Sequence, residues 1–415
     1  MKKILLIVVV VMLVVSITFV GCAKPAVSPA PTSAPASIPP KTLNIGIVTP
    51  LTGPAASLGT NMQNAILLAI DDQNNQGGVT IAGENYSLNG IIRDSKLDVV
   101  VAKNVTEELI FEKGVNVIGG TFQFDAIGAQ SVTEKNKVIL FTVNAAPGLC
   151  TPQKPYTFFP AGATPLALYA PGAAYIQKFY PEAQTVLTMT TDLPSLPVWV
   201  DTAKVICPLY GFDWLDYEKF PITTKDFMPV ITRALAKKPD IIDIGGTGGD
   251  MGGTACLLLK QIREAGFGGI IWCPTVPPPP VMMEIVPEQS RTRIITSDVV
   301  VDSPIVSQAF KDMYDRYVKK FGEPPLDIVG EMYNGVKPFL ESLDGQNTID
   351  ATVWMEKLAK LHWQGYFGHE AFWVGKPIYG IDRLALRPFY VSEWTDGNLE
   401  TKWEAPIPWD MFVEQ

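Results

Sequence analysis

Apolar runs alternate with helical periodicities along most of the chain. Leu43–Val48 is a short run of branched apolar residues bounded by Pro50, the pattern of a strand buried in a parallel sheet. A loop follows, with a Gly53-Pro54 turn and the small residues Ala55, Ala56 and Ser57. Met62, Ala65, Ile66, Ala69 and Ile70 then recur on one helical face. Thr60 and Gln63 have the spacing of a capping box, which predicts the helix start there, and Gly77-Gly78 predicts a left-handed stop.

The same alternation continues. Strands are predicted at Tyr86–Ile92, Val115–Ile118 and Lys137–Val143, with helices over Val99–Glu112 and from about Asp125. A second series has helices over Ala167–Phe179, Val198–Leu209, Met228–Ala236 and Gly252–Ala265, and strands at Thr185–Met189, Trp214–Phe220, Asp240–Ile244 and Gly269–Cys273. Strands separated by helices predict parallel sheets flanked by helices, an α/β class. Pro277–Pro280 reads as a polyproline bend, neither strand nor helix. Phe310, Met313, Tyr314, Tyr317, Val318 and Phe321 mark a helical face ended by Gly322 and Pro324-Pro325. Asp396-Gly397 predicts the turn of a C-terminal hairpin within Leu384–Trp403.

Two stretches carry a family likeness. Thr49–Gly59 (TPLTGPAASLG), the helix after it and its Asn-Gln-Gly-Gly ending resemble the opening of the type I periplasmic solute-binding proteins, the Leu/Ile/Val-binding group. Phe310–Leu343 resembles the late helices of that family, and the likeness spans most of residues 43–395. It implies two Rossmann-like lobes joined by three hinge crossings, closing on a small organic ligand that is handed to an ABC permease. The crossings are expected at 156–160, 293–297 and 366–371, giving lobe I as 43–160 and 295–368 and lobe II as 161–294 and 369–415. A sensory receptor domain of the same fold is the alternative.

At 415 residues the chain exceeds one ordinary core, which fits two domains. The net charge of −9 becomes more negative once residues 1–21, whose only charges are Lys2 and Lys3, are set aside. A nucleic-acid partner is therefore not expected. Lys2-Lys3, the apolar Ile4–Val20 and Gly21-Cys22 form a signal segment, residues 1–21. It resembles a bacterial lipoprotein signal, with Phe19 where Leu is usual, and implies lipidation of Cys22 and a membrane anchor. An uncleaved anchor helix is the alternative. Residues 22–42 form a Pro/Ala/Ser-rich tether. Cys150, Cys207, Cys256 and Cys273 allow three pairings, match no zinc spacing, and are expected to form at most one bridge.

In open α/β sheets ligands sit at the carboxyl ends of strands. The candidate ligand residues are therefore loop residues. On lobe I they are Ala55, Ala56, Thr121, Phe122, Gln123, Phe124, Asn144, Ala145 and Ala146. On lobe II they are Asp192, Ser195, Leu196, Thr247, Asp250 and Thr275. Backbone amides of the Thr121–Asp125 loop suit a ligand carboxylate, and Asp125 itself reads as a helix cap.

Amino-acid-binding members of the family place hydroxyl residues near Gln123 and Ala146, and an acid after the strand ending near Cys273, where this chain has Pro274-Thr275-Val276. Only Asp192 or Asp250 remains to accept an ammonium. A zwitterion is thus disfavoured, and the departure from the family pattern favours an aromatic or aliphatic carboxylate, or another weakly polar organic molecule. Phe122, Phe124, Phe141 and Trp272 supply aromatic surface near the expected cleft, Phe141 and Trp272 being expected in the core. Gly245–Gly249 lacks the spacing of a nucleotide loop, and His362 and His369 are poor metal ligands. No cofactor, metal or catalytic residue is expected.

Overall fold

The computed structural model describes residues 40–414 except 54, 123, 144–147, 161–163, 194–195, 248–251, 275–276 and 298. The expected signal segment, Cys22 and most of the tether lie outside these residues.

The chain opens with β1 (Lys41–Thr49), α1 (Ala56–Asn75), β2 (Val79–Ile81), β3 (Glu84–Asp94), α2 (Val99–Phe111), β4 (Val117–Thr121), α3 (Phe124–Asn136), β5 (Ile139–Thr142) and β6 (Thr157–Phe158). These strands form one sheet in the order β2-β3-β1-β4-β5-β6, parallel except for β2. Buried Ile45, Ile47 and Val48 explain why β1 can sit at its centre.

A second run comprises α4 (Pro165–Phe179), β7 (Thr185–Thr191), α5 (Leu196–Leu209), β8 (Asp213–Phe220), α6 (Met228–Ala236), β9 (Ile241–Asp243), α7 (Gly253–Glu264), β10 (Ile270–Cys273), α8 (Pro279–Ile285) and β11 (Ile294–Thr296). Then come α9 (Gln308–Phe321), α10 (Asp327–Ser342), α11 (Ala351–Leu358) and a small sheet of β12 (His362–Gln364), β13 (Glu370–Val374) and β14 (Leu384–Ala385), with α12 (Lys376–Tyr379) between the last two. β15 (Phe389–Thr395), β16 (Asn398–Ala405) and α13 (Trp409–Phe412) end the chain. The second sheet has the order β16-β15-β11-β10-β9-β7-β8. Its five βα strands are parallel, and the β15–β16 hairpin is added antiparallel along β11. The hairpin turns at Asp396 and Gly397, φ 48° and 83°, the left-handed pair that a two-residue turn requires.

Two features differ from the sequence reading. α1 begins at Ala56, not Thr60, and no side chain caps it. Its start is set by chain contact instead: Ala56 N donates to Gly53 O at 3.2 Å, and Thr49 Oγ1 donates to Gly59 O at 3.2 Å. A Cβ on Gly59 would fall on the Pro50 carbonyl, so strand and helix meet at backbone distance there. The proline run does not stay a bend, because Pro279 and Pro280 open α8, where a missing N–H costs nothing. Cys150, Cys207, Cys256 and Cys273 are buried thiols, and no disulfide joins any two of them.

Each sheet has its own apolar core. Ile45, Ile66, Phe141 and Phe158 join Phe310, Met313, Met332 and Phe339 of α9 and α10 over one face of the first sheet. Leu187, Ile242, Leu259 and Ile271 build the core on one face of the second sheet, and Tyr169, Ile206, Ile241 and Trp272 belong to a further cluster. Helices α9 and α10 thus follow a strand of the second sheet yet pack against the first. Asn61 and Asn64 of α1 fix that return by bonding Tyr317 Oη and Leu326 N.

Candidate functional site

The parallel registers align the carboxyl ends of the strands. On the first sheet Thr49 lies opposite Asp94, and Thr121 opposite Thr142. On the second, Thr188, Asp243, Trp272 and Ile295 form one row across four strands. The residues just beyond these positions make two rims.

The first rim is held by carboxylates that accept from backbone. Asp94 accepts Leu51 N at 2.8 Å, Lys96 N at 2.9 Å and Thr52 Oγ1 at 2.6 Å. Burial works against its charge, but these donors outweigh it and hold the carboxyl below its ordinary range. Ser95 links onward, with N bonded to Thr49 O and Oγ donating to Asp125 Oδ2 at 2.8 Å. Fully buried Asp125 accepts Phe122 N and Ala126 N, each at 2.9 Å. The expected cap is therefore also a brace that ties the loop after β3 to the loop after β4.

Among the expected ligand residues of this rim, Ala55 and Ala56 are half-buried at the start of α1. Thr121 is fully buried, and its carbonyl accepts Thr142 Oγ1 at 2.9 Å. Phe122 packs against the core, whereas Phe124, first residue of α3, is 49% exposed. Gln123, Asn144, Ala145 and Ala146 lie outside the described residues.

On the second rim, Thr191 Oγ1 donates to Gly246 O and Thr247 Oγ1 to Ile244 O, both at 2.7 Å. Gly246 has φ +76° and lies under the Trp199 ring, where a Cβ would sit 2.6 Å from Trp199 Cδ1 and Thr190 Oγ1. Gly252 packs as closely on Pro277, so neighbouring loops of this rim touch. Asp192 is exposed and pairs with Lys219 at 3.3 Å. Leu196 is half-buried at the start of α5. Ser195, Asp250 and Thr275 lie outside the described residues. Phe141 and Trp272 are core residues, 0% and 1% exposed.

Sequence reasoning passed over Trp199, a half-buried indole on the first turn of α5, and the polar cluster beneath Gly245. There Asp243 accepts Tyr169 Oη, Thr188 Oγ1 and Gly245 N. The available signal was an acid set within the apolar run Ile241–Ile244 that leads into a glycine loop. Among the described residues no group of three or more His, Cys, Asp or Glu is placed to hold a metal.

A family model described as "Periplasmic binding protein" matches residues 42–398. The Leucine-, isoleucine-, valine-, threonine-, and alanine-binding protein of Pseudomonas aeruginosa is 24% identical over 227 residues, 54% of this chain and 58% of that protein. In structure, the chain is similar to the branched-chain amino acid transporter substrate binding protein LivJ of Streptococcus pneumoniae in complex with isoleucine. That likeness has TM-score 0.69 and 19% identity, over 87% of this chain and 98% of the other. It is also similar to a solute binding protein of an ABC transporter from Rhodopseudomonas palustris in complex with 3,4-dihydroxy benzoic acid. There the TM-score is 0.66 and the identity 22%, over 89% and 99% of the two chains. The chain belongs to the periplasmic binding protein family, with the two-lobed α/β fold of its type I members and the extracytoplasmic location that membership implies.

Proposed function

We infer that the protein is an extracytoplasmic solute-binding lipoprotein that captures a small organic carboxylate lacking an ammonium group and delivers it to an ABC permease. The mechanism is binding, not catalysis. The two rims face each other across a cleft, the lobes divide near 160, 295 and 368, and a ligand touching both rims stabilises the closed form. Cys22 carries the lipid, and residues 22–42 hold the domain clear of the membrane.

One observation carries the ligand class. Among the described residues, the acids at or just past the strand carboxyl ends are Asp94, Asp98, Asp125, Asp192 and Asp243, and each is engaged. Asp94 and Asp125 brace loops, Asp98 caps α2 by accepting Val100 N and Val101 N at 2.8 Å, Asp192 pairs with Lys219, and Asp243 is fully buried. An ammonium facing these described acids would find each of them already engaged, and an ammonium closed in without a compensating charge is costly. Bound forms of relatives point both ways, isoleucine in one and 3,4-dihydroxy benzoic acid in another, and the engaged acids favour the second kind.

A thermal-shift screen of amino acids, aromatic acids and short organic acids tests this. A ligand at about 100 times its Kd adds about 2.7 kcal/mol of stability. The expected hits are acids without an amino group; stabilisation confined to amino acids contradicts the assignment.

A further inference from the structure

Asp243 is the buried titratable group for which ligand capture, as described, has no use. It ends β9 in the interior of the second sheet, directly below the Gly245–Thr247 turn, and is fully buried. Oδ1 accepts Gly245 N at 2.8 Å and Tyr169 Oη at 3.1 Å; Oδ2 accepts Thr188 Oγ1 and Tyr169 Oη, both at 2.9 Å. Thr188 cannot easily turn away, since its oxygen accepts Trp214 Nε1 at 3.1 Å. The group is thus surrounded by donors and suited to a carboxylate, which can only accept.

The titratable neighbours are Tyr169 of α4, Cys207 of α5 and Cys273 of β10, with Cys256 of α7 behind Cys273. None of these is cationic. A charge placed there without a counter-ion is retained at a cost, and the turn above it is what its hydrogen bond to Gly245 organises.

We propose that Asp243 is a positioning residue for ligand binding: its carboxylate fixes the Gly245–Thr247 turn in the shape that meets the ligand. This rests on the reading above that the turn belongs to the ligand-facing rim. Neutralising the carboxyl places a proton or an amide N–H among donors, and the turn loosens. Burial pushes Asp243 up to about 6 in spite of its three donors, so mild acid already neutralises it. Ligand affinity then follows the fraction of molecules that retain the carboxylate.

The test uses the full chain and its Asp243→Asn variant. Hydrogen exchange of the peptide spanning 241–247, corrected for the intrinsic pH dependence, is compared at roughly pH 7.5 and roughly pH 5. Calorimetry with 3,4-dihydroxybenzoate and with isoleucine is run at the same two values. Protection in this peptide is expected to fall on acidification of the native protein. Affinity for whichever probe binds should drop about tenfold with it. The variant should match the acidified protein and show a flat pH profile, which also removes any titration of the probe itself. Unchanged protection, or an affinity that stays level while protection falls, overturns the proposal. If the variant does not fold, the native pH comparison decides alone. Binding of neither probe would count against the ligand classes considered above, and the exchange result would then decide this proposal.

Discussion

At the scale of single residues, buried groups set how the protein answers to pH. Asp243 has a folded pKa of about 6, above the ordinary carboxyl range, so the folded state holds its proton more tightly than the unfolded chain. Its contribution to stability is present below the unfolded value and lost as pH rises through about 6, a swing of roughly 3 kcal/mol. His369 acts the other way. Burial pushes it down to about 4, so stability present above its ordinary range is lost as pH falls towards that value. Chemical denaturation of native protein against Asp243→Asn isolates the first effect. On acidification from roughly pH 7.5 to roughly pH 5, the native protein should gain about 1.4 kcal/mol relative to the variant, the rest of the swing coming only below the unfolded value. No difference in slope would mean the carboxyl is not desolvated.

At the scale of elements, close packing decides more than local propensity. Ile66 of α1 is fully buried and touches the first sheet at Gly119, where an added Cβ would lie 2.9 Å from its Cδ1. Ile66→Ala should cost about 2–5 kcal/mol in denaturant unfolding, from lost transfer and a residual cavity. Gly128 of α3 lies against the Val99 carbonyl and Lys103 N of α2, so Gly128→Ala should cost about 1–3 kcal/mol by forcing the helices apart.

Such contacts separate what was legible in the sequence from what was not. The period of Met62, Ala65, Ile66 and Ala69 revealed α1, and apolar runs between helices revealed both parallel sheets, because burial writes itself into the order of apolar positions. The start of α1 was misplaced because Thr60-Gln63 imitates a capping box, while Gly59 against Pro50 is a contact made only in the fold. α8 was missed because a proline run signals both a break and a helix start. At the rims, loop positions followed from the strand ends. The role of Asp94 did not, since its partners Leu51 and Thr52 lie more than forty residues away in the chain. Aromatic count was a weaker guide, for Phe141 and Trp272 belong to cores.

At the scale of the whole molecule, α10 is met closely by the chain after β6 and by the turn between β12 and β13. A Cβ at Gly335 would strike Pro160, and one at Gly330 would strike Tyr366. Beside them the buried Arg387 pairs with Glu331 of α10 at 3.1 Å and stacks on Phe367 and Phe389. Glu331→Ala takes one charge-assisted hydrogen bond from the buried guanidinium, so it should destabilise the fold by about 1.5–3 kcal/mol, read from the denaturation midpoint.

Above this frame, function reduces to which solute closes the lobes. Calorimetric titration of the full chain with 3,4-dihydroxybenzoate beside leucine, isoleucine and valine addresses that most directly. The engaged acids among the described residues of the rims predict binding in the micromolar range or tighter for the aromatic acid and none for the three amino acids. Micromolar binding of leucine, isoleucine or valine would contradict the account.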